Sequence, residues 1–222
     1  AIDSALSSGA TDNDFATGDA LTIITKSDAS TAAVINSLAD KTTVALNVAA
    51  ITAISGTSAA GSTMVAADGT GAGKITLKSD YTYQVDEDLS TAGNQAVTTS
   101  AGATAVGAIA ANTAGIVTAS ITAGASLTAA QINSGLGSNT GDSLTVTLAA
   151  ASVAATDITG IDANTTVAVD ADLVTTITGD MSEVTAVVTA HAASPSTIDM
   201  GNDNTAFTVS GNDSDNANTI SA

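Results

Sequence analysis

Asp and Asn side chains are concentrated in two turn-like segments near the end of the chain, and they are the clearest candidates for chemistry. The first segment is Gly201–Asn204 and the second is Gly211–Asp215, which begins ten residues later. Short runs of strand-forming residues follow them, Phe207–Val209 and Thr219–Ile220. Oxygen atoms are the ligands that Ca²⁺ prefers. Turns that only join strands have the same composition, so both interpretations remain open.

Residues 198–222 resemble the calcium-binding nonapeptides of the repeats-in-toxin, or hemolysin-type, family. In that family Gly-Gly-x-Gly-x-Asp turns alternate with short strands in a parallel β-roll, and Ca²⁺ lies between successive turns. The pattern here departs from the family, because each turn has one glycine and the spacing is ten residues instead of nine. The resemblance implies a calcium site in which Asp203 and Asp213 match the liganding Asp of the family, and Asn212, Asp215 and Asn218 are further candidate ligands.

The rest of the chain offers few groups for catalysis, because it has no Cys, no Trp and a single His. His191 is predicted near the end of a helix, where a cation is favourable to the helix dipole, so we interpret it as a capping residue. The glycine-rich run at 69–74 lacks the spacing and the Ser or Thr of a phosphate-binding loop. Zinc in its usual Cys/His form is excluded. We therefore predict a protein without enzymatic activity.

Charge and composition narrow the classes of partner. The chain has 22 acidic residues and four lysines, which gives a formal net charge of −18. Phosphate groups require a cationic surface, so we expect no nucleic-acid partner and no membrane insertion, and binding to an anionic membrane surface is disfavoured. No apolar run approaches the roughly 18 residues of a membrane-spanning helix. The lack of Cys fits either a reducing compartment or a secreted protein without disulfides. Because the chain is also strongly acidic, we expect a secreted protein that is extracellular or at the cell surface.

Strand-like and helix-like segments alternate from Leu21 onward. Runs of Thr, Val and Ile predict strands within 20–25, 42–55, 73–86, 114–122, 143–149, 165–178 and 205–210. Four short helices are predicted: 27–40 capped by Ser27 or Asp28, about 101–111, 126–137 capped by Ser126 and ended by Gly135 or Gly137, and 180–191. In the last of these, Asp180 and Glu183 have the spacing of a capping box.

Two pairs of segments are similar to each other in sequence. Segment 21–40 aligns with 173–192, and segment 42–56 aligns with 165–179, since both members of the second pair begin Thr-Thr-Val-Ala. A repeat of roughly 20–40 residues is typical of solenoids. The sequence therefore predicts three regions: a polar N-terminal segment (1–20), a degenerate strand and short-helix repeat domain (21–197), and an Asn/Asp/Gly-rich, β-roll-like tail (198–222).

Residues 57–100 interrupt this repeat. They contain a glycine-rich run and both tyrosines of the chain. An insertion or a β-hairpin is predicted here, with Tyr81 and Tyr83 on one face of a strand and serving local packing.

The predicted fold is mainly β with short helices, arranged as a parallel β-solenoid-like α/β repeat stack, and a β-sandwich is the alternative. The composition is similar in style to bacterial surface-layer proteins and giant secreted adhesins. We expect a structural protein that forms or belongs to a surface array, filament or adhesin stalk, stabilised by calcium, and that associates with itself or with neighbouring repeats. Alternatives are a virus or phage fibre segment, an enzyme, and an ice-binding module with rows such as Thr145–Thr147 and Thr176–Thr178.

Overall fold

The structure, a computed structural model, describes residues 29–69, 74–88, 95–201 and 205–209. The chain divides into two compact units. Unit 1 comprises residues 1–95 and 108–118, and unit 2 comprises residues 96–107 and 119–222. Within the described residues, both units alternate short strands with short helices.

Six helices occur in the described part of the chain: α1 (Ala32–Ala39), α2 (Ser58–Ala66), α3 (Ser100–Asn112), α4 (Ala129–Leu136), α5 (Ala155–Asp162) and α6 (Met181–Ala192). Twelve strands accompany them: β1 (Ala29–Thr31), β2 (Leu46–Asn47), β3 (Ala53–Gly56), β4 (Ile75–Thr76), β5 (Thr82–Val85), β6 (Val117–Thr122), β7 (Ser143–Thr147), β8 (Ser152–Ala154), β9 (Val169–Asp170), β10 (Thr176–Gly179), β11 (Ile198–Asp199) and β12 (Ala206–Val209). Helix α3 and strand β6 contain residues of both units.

Strands of unit 1 pair in parallel in the order β1-β3-β5-β6, and β2 pairs in parallel with β4. Parallel strands need a crossover connection, and here the crossover contains a short helix. Side chains also connect each strand–helix segment to the next one. Asn36 Nδ2 donates to the carbonyl of Ala60, 24 residues later, and Gln84 Nε2 lies 3.5 Å from the carbonyl of Thr118, 34 residues later.

Strands of unit 2 form two parallel rows. The first row has the order β6-β7-β9-β11, and the second has the order β8-β10-β12. In the second row Thr176 lies opposite both Ser152 and Ala206. The crossover from β8 to β10 contains α5, and the crossover from β10 to β12 contains α6.

Apolar side chains fill the interior because strand residues alternate between inside and outside. In β6, Val117, Ala119 and Ile121 are buried, whereas the Thr and Ser residues between them are partly exposed. The helices are one-sided as well, with Ile35 and Leu38 of α1 buried. Full burial of a Val, Leu or Ile side chain stabilises the fold by roughly 1.5–3 kcal/mol. A periodic pattern of such residues therefore fixes which side of each element faces inward.

The capping box predicted at Asp180 is confirmed. Asp180 Oδ1 accepts the N–H of Glu183 at 2.8 Å, and Glu183 Oε2 accepts the N–H of Asp180 at 2.8 Å. Helix α6 begins at Met181 as a result, and His191 lies in its last turn, as predicted.

Two other predicted helix starts are wrong. Helix α1 begins after Thr31, whose Oγ1 accepts the N–H of Val34, and not after Ser27 or Asp28, because residues 29–31 are held extended by pairing with β3. Helix α4 begins after Thr128 instead of Ser126, since Thr128 forms a capping box with Gln131. Gly137 ends α4 with a φ of 73°, a left-handed conformation that glycine tolerates.

The fold is mixed α/β with mostly parallel strands, which confirms the predicted combination of parallel strands and short helices. Helical residues outnumber strand residues in the described part, so the expectation of a mainly β chain is corrected. The named strand pairs in that part are all parallel, whereas the β-sandwich alternative requires antiparallel sheets.

The β-hairpin predicted within residues 57–100 is also wrong in the part of this region that the structure describes. Strand β4 pairs with β2, and β5 pairs with β3 and β6, so β4 and β5 do not pair with each other. Helix α2 lies in the same region, which the sequence led us to interpret as an interruption. Its residues are mostly Ala, Ser, Gly and Thr, and they give no clear apolar periodicity.

Residues 29–77 of unit 1 and residues 152–200 of unit 2 contain the same elements in the same order. Elements β1, α1, β2, β3, α2 and β4 correspond to β8, α5, β9, β10, α6 and β11, with first residues that differ by 123 in number throughout. Backbone hydrogen bonds correspond as well. Leu46 N–H donates to Lys74 and Val48 N–H to Thr76, just as Val169 N–H donates to Thr197 and Ala171 N–H to Asp199.

Candidate functional site

The outer face of the unit 1 sheet carries an open concave surface. An open groove of about 590 Å³ crosses strands β1, β3, β5 and the start of β6. Two rows of in-register side chains line it: Ala29, Ala53 and Thr82 in one, and Thr31, Ser55, Gln84 and Thr118 in the other. Every side chain in these rows is uncharged. The groove therefore offers hydroxyls, one amide and methyl groups, and no acid or base for proton transfer.

The corresponding face of unit 2 has the same character. On β8, β10 and β12 the outward rows are Ser152–Thr176–Ala206 and Ala154–Thr178–Thr208. Thr176 and Thr178, which the sequence suggested as part of a Thr-x-Thr row, lie on the outside of β10 with Ile177 buried between them. Thr145 and Thr147 lie on the outside of β7, which belongs to the other row of unit 2. The structure thus places the two Thr-x-Thr pairs on different sheets.

Carboxylates collect at the turns that follow β9 and β11. Asp199 lies opposite Asp170 in the register of these strands. Asp170 Oδ1 accepts the N–H of Asp172 at 3.1 Å, and Asp199 Oδ1 accepts the N–H of Gly201 at 3.0 Å. Desolvation, followed by repulsion from Asp199 and Asp170, raises the pKa of Asp172. These side chains shape their own turns. Within the described residues no group of three or more His, Cys, Asp or Glu side chains is arranged to hold a metal ion.

The predicted calcium ligands Asp203, Asn212, Asp213, Asp215 and Asn218 lie outside the described residues. The calcium site consequently stays a prediction. Sequence analysis missed the alignment of Asp170 with Asp199. The match between segments 42–56 and 165–179 could have located the turn after β9, because it aligns Asp170 with Asn47. Asn47 Oδ1 accepts the N–H of Ala49, two residues later, as Asp170 Oδ1 accepts the N–H of Asp172.

Both tyrosines are buried and act within the unit 1 interior, in agreement with their predicted packing role. The Tyr81 hydroxyl donates to Asn112 Oδ1 at 2.9 Å, and the Tyr83 hydroxyl donates to the carbonyl of Thr57 at 3.0 Å. Burial raises the pKa of both phenols, with a smaller contribution from Asp68 at Tyr81 and from Tyr81 and Glu87 at Tyr83. They are neutral hydrogen-bond donors rather than a platform for a ligand.

His191 is tied to the strand that follows its helix. Its Nδ1 lies 3.1 Å from the carbonyl oxygen of Ile198 and 3.4 Å from the backbone nitrogen of Met200. The ring therefore connects the end of α6 to β11, and no carboxylate partner accompanies it in the described residues.

Among the described helices, none combines the length and the apolar character needed to cross a membrane. No protein-family model matches the chain, and no curated protein and no solved structure matches it either.

Proposed function

We propose that this chain is a non-catalytic, extracellular structural repeat protein whose strand–helix turns stack as a parallel solenoid, and that it forms or belongs to a surface array, filament or adhesin stalk. The observation that carries the proposal is the correspondence of residues 29–77 with residues 152–200, in elements and in hydrogen bonds. A turn that repeats with the same register needs only its two neighbours to be stable, so such a fold can be lengthened without redesign.

The lining of the groove and the hydrogen bonds of the carboxylates support a structural role over a catalytic one. The groove on the unit 1 sheet is lined by uncharged side chains, and Asp170 and Asp199 accept hydrogen bonds from the backbone of their own turns. A charge of −18 keeps a secreted protein soluble, and calcium or other cations outside the cell would screen it.

A deletion of one whole turn tests the solenoid. Ser152 and Thr176 are register partners, so deleting residues 152–175 joins Ala151 to Thr176 and brings β7 next to β11. We expect this shortened chain to unfold cooperatively and to keep the circular dichroism per residue of the parent. The matched control deletes residues 152–163, which removes β8 and α5 but keeps β9, and it should lose cooperative unfolding. Equal damage from both deletions would refute the stack.

Electron microscopy of the purified chain tests the assembly. Ordered filaments or sheets with calcium present are expected for a self-assembling structural protein. Loss of that order on chelation would support calcium binding by the tail, and unchanged order would remove calcium from the proposal. Monodisperse monomers at all concentrations, with and without calcium, would contradict self-assembly of this chain.

An ice-binding module is a second candidate, favoured by the in-register hydroxyl and methyl groups on the outside of β8, β10 and β12. An uncharged face with hydroxyl and methyl groups in register should produce thermal hysteresis in the monomer if it binds ice. Replacing Thr176 by Lys would abolish that activity, whereas replacing Thr145 by Lys, on the other sheet, would not. Absence of hysteresis in the parent chain would eliminate this candidate.

A further inference from the structure

We propose that residues 18–25 form a further strand of unit 1, which pairs with β2 on the side opposite β4. These residues lie outside the described part of the chain, so their sequence and the contacts of their counterpart in unit 2 carry the inference. It goes beyond the proposed function, because it assigns an intramolecular partner to a strand edge and does not depend on assembly.

The sequence of this segment continues the correspondence between the two units. Gly18–Thr22 is Gly-Asp-Ala-Leu-Thr and Gly141–Thr145 is Gly-Asp-Ser-Leu-Thr, so four of the five residues are identical. Their numbers differ by 123, which is also the difference that relates β1 to β8 and β2 to β9. Residues 143–147 are strand β7. Residues 20–24 therefore have the position of β7 in the repeat.

The alignment of 21–40 with 173–192 does not match the described elements. It places residues 29–31, which are strand β1, opposite residues 181–183, which begin helix α6. A shared order of elements is the stronger criterion, because segments rich in Ala, Thr and Val resemble one another in many alignments.

Strand β7 is anchored by the two threonines that precede β9. The Asp142 carbonyl accepts the N–H of Thr166 at 2.8 Å. Thr165 Oγ1 accepts the N–H of Leu144 at 3.0 Å and donates to the carbonyl of the same leucine at 2.7 Å. These bonds fix the strand at the residues that the two units share in sequence.

The same pair of threonines precedes β2. Residues 42–45 and residues 165–168 are both Thr-Thr-Val-Ala. In each segment the Oγ1 of the first threonine accepts the N–H of the valine two residues later, at 3.2 Å in unit 1 and at 3.1 Å in unit 2. The local turn is therefore the same in both units. By this correspondence the backbone of Leu21 is the partner of the Thr42 hydroxyl.

Pairing between β7 and β9 sets the register expected at β2. In unit 2, Thr147 lies opposite Asp170, and the residue after Thr147 donates its N–H to the Asp170 carbonyl at 2.8 Å. The counterpart of this pair is Ile24 opposite Asn47. In the described residues β2 has β4 as its strand neighbour, whereas β9 has both β7 and β11. Residues 18–25 supply the second neighbour that β9 has in unit 2.

Two further features favour this segment of the same chain as the occupant. Leu144 and Val146 of β7 are buried, at 1% and 0% exposure, and the matching residues Leu21 and Ile23 are also large and apolar. Four residues separate β7 from β8, and four residues separate Ile24 from β1. Since a connection of this length leads from β7 into β8 within one chain, pairing within one chain needs no rearrangement in unit 1.

An engineered disulfide tests the register, because the chain has no Cys of its own. Ile24→Cys combined with Asn47→Cys places two thiols on strands about 4.8 Å apart, within the roughly 4.4–6.8 Å between Cα atoms that a disulfide allows. Under mild oxidation we expect at least about half of the chains to form an intramolecular disulfide, measured by mass and by mobility on non-reducing gels. The matched control, Ile23→Cys with Asn47→Cys, turns one thiol to the other face and should cross-link at least about fivefold less.

The cross-linking pattern decides the proposal. Equal cross-linking of the two double variants, or none in either, would overturn the pairing. Cross-linked dimers in place of monomers in dilute solution would give the strand to a second copy and would also overturn it. None of these results depends on whether filaments form, so the proposed function stands or fails separately.

Stability provides a second measurement. Leu21→Ala removes the side chain that corresponds to buried Leu144, and it should lower the urea midpoint of unfolding by roughly 1 M or more. Thr22→Ala, which corresponds to exposed Thr145, should lower that midpoint by less than about 0.5 M. Equal shifts in both variants would contradict the alternation of inward and outward side chains that β7 shows.

Discussion

Units 1 and 2 have corresponding strand–helix segments, but the side chains at corresponding buried positions differ in size. Position 61 in unit 1 is a glycine, and a Cβ there would lie 2.5 Å from Ile109 Cδ1 and 2.7 Å from the Tyr83 ring. The corresponding position in unit 2 is Val184, which is fully buried. In unit 1 the Tyr83 ring lies in the space beside position 61, whereas in unit 2 the side chain of Val184 is itself buried. The backbone register is therefore compatible with more than one interior, provided that the volume is conserved.

Helix starts differ between the units as well. Thr31 caps α1, but its counterpart Ala154 before α5 makes no side-chain cap hydrogen bond. At the next helix, Thr57 caps α2 and the carboxylate of Glu87 from the following turn accepts the N–H of Ser58 at 3.1 Å. Unit 2 supplies both groups locally, from Asp180 and Glu183. A distant carboxylate therefore completes the helix start in unit 1, at the N–H of Ser58, whereas a near carboxylate does so in unit 2, at the N–H of Asp180.

Exchanging the residues at the corresponding buried positions should give the largest effect. Gly61→Val should destabilise the chain by about 2–3 kcal/mol through overpacking against Tyr83 and Ile109. Val184→Gly should cost a similar amount, roughly 2–4 kcal/mol, through an unfilled cavity. Urea unfolding of both variants measures these changes.

A double variant makes this test specific. Gly61→Val combined with Tyr83→Val should be less destabilised than the two single changes added together, because the valine then occupies space vacated by the ring. Strict additivity would contradict the account of volume exchange.

Alkaline pH should weaken unit 1 selectively, since both tyrosines of the chain are there. Their pKa values are raised by burial, so their stabilising contribution is complete below the unfolded pKa of about 10 and is lost as the pH rises toward the folded values. One pH unit above the unfolded pKa, each buried phenol should cost about 1.4 kcal/mol. Unfolding midpoints between pH 9 and 11.5, with phenolate absorbance followed in parallel, measure this loss.

The Tyr81→Phe/Tyr83→Phe double variant is the control. It should be less stable at pH 8, because two hydrogen bonds are lost, but its stability should vary little between pH 9 and 11.5. The same alkaline slope in this variant would assign the effect to other groups.

Cap exchange should produce an intermediate effect. Asp180→Ala removes the side chain that accepts the N–H of Glu183 and should destabilise the chain by about 1 kcal/mol. Ala154→Thr adds the cap that Thr31 provides in unit 1 and should stabilise it by up to about 1 kcal/mol. Thermal unfolding of both variants is compared with that of Thr31→Ala, which removes the corresponding cap in unit 1. This comparison separates the loss or gain of a cap from the general effect of a surface substitution. No gain from Ala154→Thr would show that α5 is held by packing alone.

The ion pair between Lys78 and Asp80 should contribute least. Its atoms are 2.6 Å apart, but the side chains are 36% and 57% exposed. Lys78→Met should change the free energy of unfolding by less than about 0.5 kcal/mol, since water and salt screen exposed pairs. A larger change that persists in 0.5 M salt would point to packing of the lysine stem.

Local signals in the sequence were sufficient for some elements. Asp180 and Glu183 satisfy the first backbone donors of α6 from within three residues, so their spacing alone locates that helix start. Gly137 likewise ends α4 through its own conformation. The match of 42–56 with 165–179 corresponds to the strand pairs β2 and β9, and β3 and β10. Helices α2 and α5 were missed, because the first has no clear apolar periodicity and the second has no capping side chain.

By itself, the sequence determined the alternation of strand-forming and helix-forming segments, the acidic charge, and the capping box that starts α6. Those properties depend on neighbouring residues. Only the tertiary structure decided that β4 and β5 lie apart in parallel pairs, that residues 29–31 extend as a strand before α1, and that Asp170 lies opposite Asp199. These outcomes depend on pairing between residues 24 to 34 positions apart, where register is set by burial of the whole turn and not by any local preference.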